Sequence, residues 1–141
     1  MQLIDIHLLK IDFSLNKDFK ADGEKKEVTF NPTIGLRHDF KNDTNELVVF
    51  IRLSQKNGDI PFFFEVEVVG LFKFKETPAP TILETFSTIN CPAIVFPYIR
   101  ETVADITRRA GFPPLHLRPI NFIELAKRNK EKKTTNITIS N

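Results

Sequence analysis

Residues 61–75 read PFFFEVEVVGLFKFK, and no other stretch restricts the fold as tightly. Phe62, Phe64, Val66, Val68, Phe72 and Phe74 fall on even positions; Glu65, Glu67 and Lys73 fall on odd ones. Successive side chains of a strand point to opposite faces. A period of two therefore predicts a strand with one face buried and the other partly charged. Gly70 sits inside the run and predicts a bulge or bend.

Three further segments share this character. Residues 46–54, ELVVFIRLS, predict a strand, and Asn57-Gly58 after it signals a turn because both residue types tolerate positive φ. Residues 28–37 place Val28, Phe30, Ile34 and Leu36 on one parity and Thr29, Asn31, Thr33 and Arg37 on the other. Pro32 cannot donate to a ladder, which puts this strand at an edge. Residues 3–13 carry apolar side chains on both parities: Leu3, Leu9, Ile11 and Phe13 against Ile4, Ile6 and Leu8. That predicts a strand covered on both sides or lying at an interface. Residues 14–26, polar apart from Leu15 and Phe19, read as a long loop.

After the strands come helices. Pro78, Pro80 and Pro92 break up residues 77–92, leaving room for a short helix over 81–89. A firmer helix runs from Ala93 or Pro97 to Ala110, with Ile99, Val103, Ile106 and Ala110 on one stripe. Gly111 is placed to cap it and Pro113-Pro114 to stop it. Asn121 caps a second helix, with Glu124 completing a capping box and Ile120 and Leu125 at the staple positions. The pattern is an α+β domain: a four-stranded antiparallel sheet followed by two helices over residues 1–126. Residues 127–141 read as a basic tail, frayed or disordered.

The formal charge of +2 comes from that tail, where Lys127, Arg128, Lys130, Lys132 and Lys133 outweigh Glu131; residues 1–126 are slightly acidic. A nucleic-acid protein would show a basic stripe across its fold, so the charge argues against that class. A basic tail is either a solvated end or a contact for an acidic partner. Enzyme chemistry finds little support. His7, His38 and His116 lack metal-ligand spacing, and there is no phosphate loop, nucleophile elbow or dinucleotide fingerprint. The single Cys91 permits no intrachain disulfide. No cofactor is expected. The N-terminal apolar run carries Asp5 and Asp12 and does not read as a signal peptide, and no unbroken run approaches the roughly 18 apolar residues of a bilayer span. The location expected is the cytoplasm. Fourteen Phe in 141 residues are more than a single domain of this size buries in full; they read as a Phe-rich core or, more sharply, as including rings that line a surface for apolar chains.

Cys91-Pro92-Ala93-Ile94-Val95-Phe96-Pro97-Tyr98-Ile99-Arg100-Glu101, followed by Gly111-Phe112-Pro113-Pro114-Leu115-His116-Leu117-Arg118-Pro119-Ile120-Asn121-Phe122, resembles two sequence motifs of the SecB family of export chaperones. Phe63-Phe64-Glu65-Val66 through Gly70-Leu71-Phe72 resembles the last strand of that family's sheet, and Lys10 to Ser14 matches the end of its first strand more loosely. The resemblance implies an ATP-independent holdase that binds unfolded preproteins in an aromatic, apolar groove. Phe19, Phe30, Phe40, Phe62, Phe64, Phe122 and Leu125 are the candidates for that groove, and the sequence does not separate groove from core among them. It also implies a homotetramer, a dimer of dimers, with the stripe Ile99, Val103 and Ile106 in its interior; the same stripe could instead cover the protomer's own sheet. Asp12, Phe63 and Glu65 match the positions that dock the SecA motor in the family. Asn16 replaces an expected carboxylate, and a basic tail replaces an acidic one. Members of the family also serve single clients, such as the antitoxin of a toxin–antitoxin pair. No nucleic acid and no membrane insertion are implied.

Overall fold

The computed structural model describes residues 1–20, 27–132 and 137–140, with side chains through residue 130. Four long strands come first: β1 (Gln2–Leu15), β2 (Thr33–Lys41), β3 (Glu46–Gln55) and β4 (Phe62–Lys73). All their pairings are antiparallel. Strands β2, β3 and β4 form a meander, while β1 lies on the far side of β4, giving the order β1-β4-β3-β2. The alternation of β4 is realised residue by residue: Phe62, Phe64, Val66, Val68 and Phe72 are buried, and Phe63, Glu65, Glu67, Val69 and Leu71 lie half-open on the other face.

Strand β1 explains its own mixed pattern. Its register against β4 shifts between Leu3 and Asp5 and again between Leu8 and Lys10, so Ile4 and Leu9 are extra residues. Each insertion restores the parity. Leu3, Ile6, Leu8, Ile11 and Phe13 thereby stand opposite Phe72, Gly70, Val68, Val66 and Phe64. The bulges thus lie in β1 and not at Gly70. Gly70 serves a different need: a Cβ there would come within 2.6 Å of Val95 Cγ2 and 3.0 Å of the Phe72 ring. Val95 of the helix that covers the sheet packs directly against this position.

That helix is longer than the sequence reading allowed. Short α1 (Pro80–Thr85) runs through one π-helical turn (Phe86–Asn90) into α2 (Cys91–Arg109) without a break. Pro92 does not end it, because the π turn has already changed the bonding; Cys91 N–H donates to Phe86 O, five residues back. By length and by a mean hydropathy of 1.2 over its most apolar window, Pro80–Arg109 could cross a bilayer. Here it is the core helix of the domain. Cys91, Val95, Phe96, Ile99, Val103 and Thr107 are buried along one stripe against β3 and β4. The helix ends as expected: Gly111 at φ +92° donates to Arg108 O at 3.0 Å, and Phe112 N–H donates to Thr107 O at 3.1 Å.

Two boundaries differ from expectation. Strand β2 begins at Thr33, after Pro32 rather than through it, so Val28 and Phe30 fall in an irregular segment; it extends to Lys41, where Asn45 (φ +55°) helps turn the chain into β3. Two elements fall within the basic segment. Helix α3 (Phe122–Lys132) runs into it, and Ile137–Ser140 forms a fifth strand, β5, on the free edge of β2. Residues 133–136 and 141 of the expected tail lie outside the described residues.

Candidate functional site

The covered face of the sheet continues at one end into an open groove of ≈ 820 Å³. Its first wall is the irregular segment Val28–Pro32, and its second is the proline-rich connection from Leu115 to Asn121. Leu53 and Phe96 form the floor, and Arg128 of α3 reaches the rim. Local chemistry fixes each wall. Asn31 N–H donates to Gln55 Oε1 at 2.8 Å, pinning the first segment to the end of β3. Arg100 Nε donates to Leu117 O at 3.0 Å, and Thr107 Oγ1 accepts Leu115 N–H at 2.9 Å, tying the second segment to α2. Asn121 Oδ1 accepts the N–H groups of Ile123 (3.1 Å) and Glu124 (3.2 Å), the cap expected from the sequence, so α3 starts where this wall ends.

Aromatic rings stack beneath and beside the groove. Phe30 stacks on Phe62 at 4.9 Å, and Phe62 in turn meets Phe13, Phe64 and Phe112 at 5.1, 6.2 and 5.0 Å. Phe96 meets Phe122 edge-on at 5.8 Å. The seven groove candidates therefore divide. Phe30 lines the groove. Phe62, Phe64, Phe122 and Leu125 are at most 4% exposed and pack in the protomer's core. Phe40 lies at the opposite end of β2, against Phe74 at 6.1 Å. Phe19 is half-buried in the loop after β1. The sequence reading missed Leu115, Pro119 and Ile120. Those positions lie in a segment with no periodicity, where apolar content gives no direction.

For the stripe Ile99, Val103 and Ile106 the sequence left two readings open, a tetramer interior or a cover for the protomer's own sheet. Ile99 and Val103 are 0% exposed within one protomer, and Ile106 is half-buried. Apolar surface left open instead lies on edge strand β1, where Ile4, Leu8, Leu9, Ile11 and Leu15 are 43–58% exposed. Ile6, Leu8 and Ile11 line a second groove of ≈ 790 Å³ against Tyr98 and Ala104 on the outer side of α2.

Asp12, Phe63 and Glu65 do come together, on the open face of the sheet. Asp12 stands directly across from Glu65 in the β1–β4 register, and Ser14 across from Phe63. The carboxylates are already matched. Lys10 Nζ lies 2.6 Å from Glu65, and Lys56 Nζ lies 3.5 Å from Glu65 and 3.4 Å from Asp12. The Lys10 hydrogen bond holds the Glu65 carboxyl below its ordinary range against the opposing effect of burial. Further across the face, Arg37 lies 3.8 Å from the Phe50 ring centroid and 3.8 Å from Glu67. Asn16 is a structural residue: its side-chain amide donates to Ile60 O and its backbone N–H to Pro61 O, both at 2.9 Å. Burial pushes the Cys91 thiol up to about 12, where it is no nucleophile. Among the described residues no three His, Cys, Asp or Glu side chains converge as metal ligands.

An antiparallel sheet closed on one face by a long helix, with an aromatic-backed groove at its end, defines an α+β architecture. The profile described as preprotein translocase subunit SecB matches residues 10–133, and the chain belongs to that family. A protein-export protein SecB of Nitrosomonas europaea is 33% identical over 126 residues, 89% of this chain and 68% of the relative. That of Methylobacillus flagellatus is 39% identical over 88 residues, 62% of this chain and 55% of the relative, so the chain spans little more than half the length of that relative. The fold is similar to the SecB-like chaperone of Mycobacterium tuberculosis, solved with a ChAD peptide from the HigA1 antitoxin. Their TM-score is 0.71 at 24% identity, covering 84% of this chain and 90% of that one.

Proposed function

We propose that this protein is an ATP-independent holdase that keeps unfolded polypeptides extended in the groove between Val28–Pro32 and Leu115–Asn121. The observation that carries the reading is the groove itself. Phe30, Pro119 and Ile120 offer apolar contacts without sequence choice, and the buried Phe62 cluster holds the Phe30 ring in place. Membership in the SecB family and the peptide-bound state of the mycobacterial neighbour support the same assignment. The clients are unfolded preproteins, held in the cytoplasm; a lone cysteine with no disulfide staple suits that reducing compartment.

Assembly into a dimer of dimers would cover the exposed apolar residues of β1, since an edge strand with Leu8, Leu9 and Ile11 in water invites a partner. Delivery to SecA through Asp12, Phe63 and Glu65 would require a partner to displace Lys10 and Lys56 from the carboxylates they neutralise. That neutral face favours a second reading, a holdase dedicated to one client. The test is light scattering from a denatured protein diluted out of urea. Suppressed aggregation of several unrelated clients at near-stoichiometric ratio without ATP supports the general holdase; suppression of none contradicts it.

A further inference from the structure

The free edge of β2 is covered by the chain's own β5, and only in part. Thr33 pairs with Ser140, Ile34 with Ile139, Gly35 with Thr138 and Leu36 with Ile137; the same edge from Arg37 to Lys41 carries no strand among the described residues. The covered stretch is contiguous with the groove, whose first wall ends at Pro32, one residue before the first pair. An extended polypeptide lying in the groove and running on past Pro32 therefore meets backbone N–H and C=O groups already taken by β5. Four residues form a strand at the short end of the usual range, and its few ladder bonds can be exchanged for those of a longer segment.

We propose that the Thr33–Leu36 edge is a strand-accepting extension of the groove, and that Ile137–Ser140 occupies it as an internal competitor displaced by an extended client segment. This rests on the holdase reading and adds a backbone-recognition site and its regulation. An edge accepts any extended backbone, as a binder of many unfolded chains requires. At rest, β5 also shields the edge from pairing with other copies. When the internal strand holds the site most of the time, the apparent affinity for client falls by the fraction left free, about tenfold at nine-tenths occupancy.

The test uses the full chain in two opposite variants and one probe, fluorescein-labelled, reduced and carboxymethylated α-lactalbumin. In Thr138→Pro/Ile139→Pro, one of two consecutive residues must present its nitrogen to β2, so the double change removes a ladder donor and frees the edge. In Thr33→Cys/Ser140→Cys, the two Cα atoms are register partners at a separation a disulfide can bridge, so oxidation locks β5 in place. Buried Cys91 does not compete. The expected results are roughly tenfold tighter binding by the proline variant and weaker binding by the oxidised variant, reversed by dithiothreitol. Equal dissociation constants for wild type and both variants overturn the edge site and leave the holdase standing. No binding by any of them overturns the holdase and the edge site together.

Discussion

At Gly70 a single carbon decides how closely α2 can lie on the sheet. Val95 is β-branched and fully buried, so it cannot swing away from a new Cβ at 2.6 Å. Gly70→Ala is expected to lower stability by about 1–3 kcal/mol. Val95→Ala in the same chain should recover part of that loss, as read from urea unfolding; additive losses would show that the two do not clash. Cys91 gives a second expectation. With its thiol pushed up to about 12 and its Sγ 3.3 Å from Met1 Sδ, it should resist iodoacetamide at pH 8 in the folded protein and react only in denaturant. Rapid labelling of native protein would refute its burial. Glu65 supplies a pH dependence. Its folded pKa is lowered, so the pairing stabilises the fold above the ordinary Glu value of 4.5 and is lost as pH falls through the folded value. Thermal unfolding between pH 6 and pH 3 should therefore fall less steeply for Glu65→Gln than for wild type; parallel profiles would contradict the pairing.

The elements differ in how plainly the sequence announced them, and the reasons are physical. Strand β4 was legible because it is central and buried on one face, which forces strict alternation. Strand β1 was legible as a strand but not in its facing, because two bulges reset the parity and no local residue type marks them. The helix start was misplaced because Pro92 reads as a breaker, whereas a π turn accommodates it. Strand β5 could not be foreseen: four residues among lysines and threonines have no core pattern, and pairing on β2 is a tertiary event. The surplus of Phe fitted either a Phe-rich core or a groove, because ring count says nothing about depth; four of the seven candidates are buried within the protomer. The stripe of α2 shows what that distinction costs. Val103→Asp would place a carboxylate where no solvent reaches, and it should abolish the cooperative unfolding transition rather than release folded protomers. A stable, folded, smaller species after this change would return Val103 to an interface.

At the scale of the whole molecule, the two faces of the sheet are put to separate use. One builds a core with α2 and leaves a groove at its end; the other is a lattice of ion pairs in which Lys10, Lys56 and Arg37 answer Glu65, Asp12 and Glu67. Edge strand β1 keeps apolar side chains in water, and the proposed assembly would cover them. Leu8→Lys/Ile11→Lys should halve or quarter the mass seen by light scattering while the melting temperature of the remaining protomer stays measurable; an unchanged mass would move the seam elsewhere. The central claim, that unfolded chains lie in the groove, is tested most directly by photocrosslinking. Benzoylphenylalanine replaces Ile120 in the groove in one variant and Val48 on the open sheet face in another, each mixed with an unfolded client and irradiated. The groove account predicts client adducts from position 120 and few from position 48. Adducts from position 48 with none from position 120 would contradict it and make the open face the binding surface.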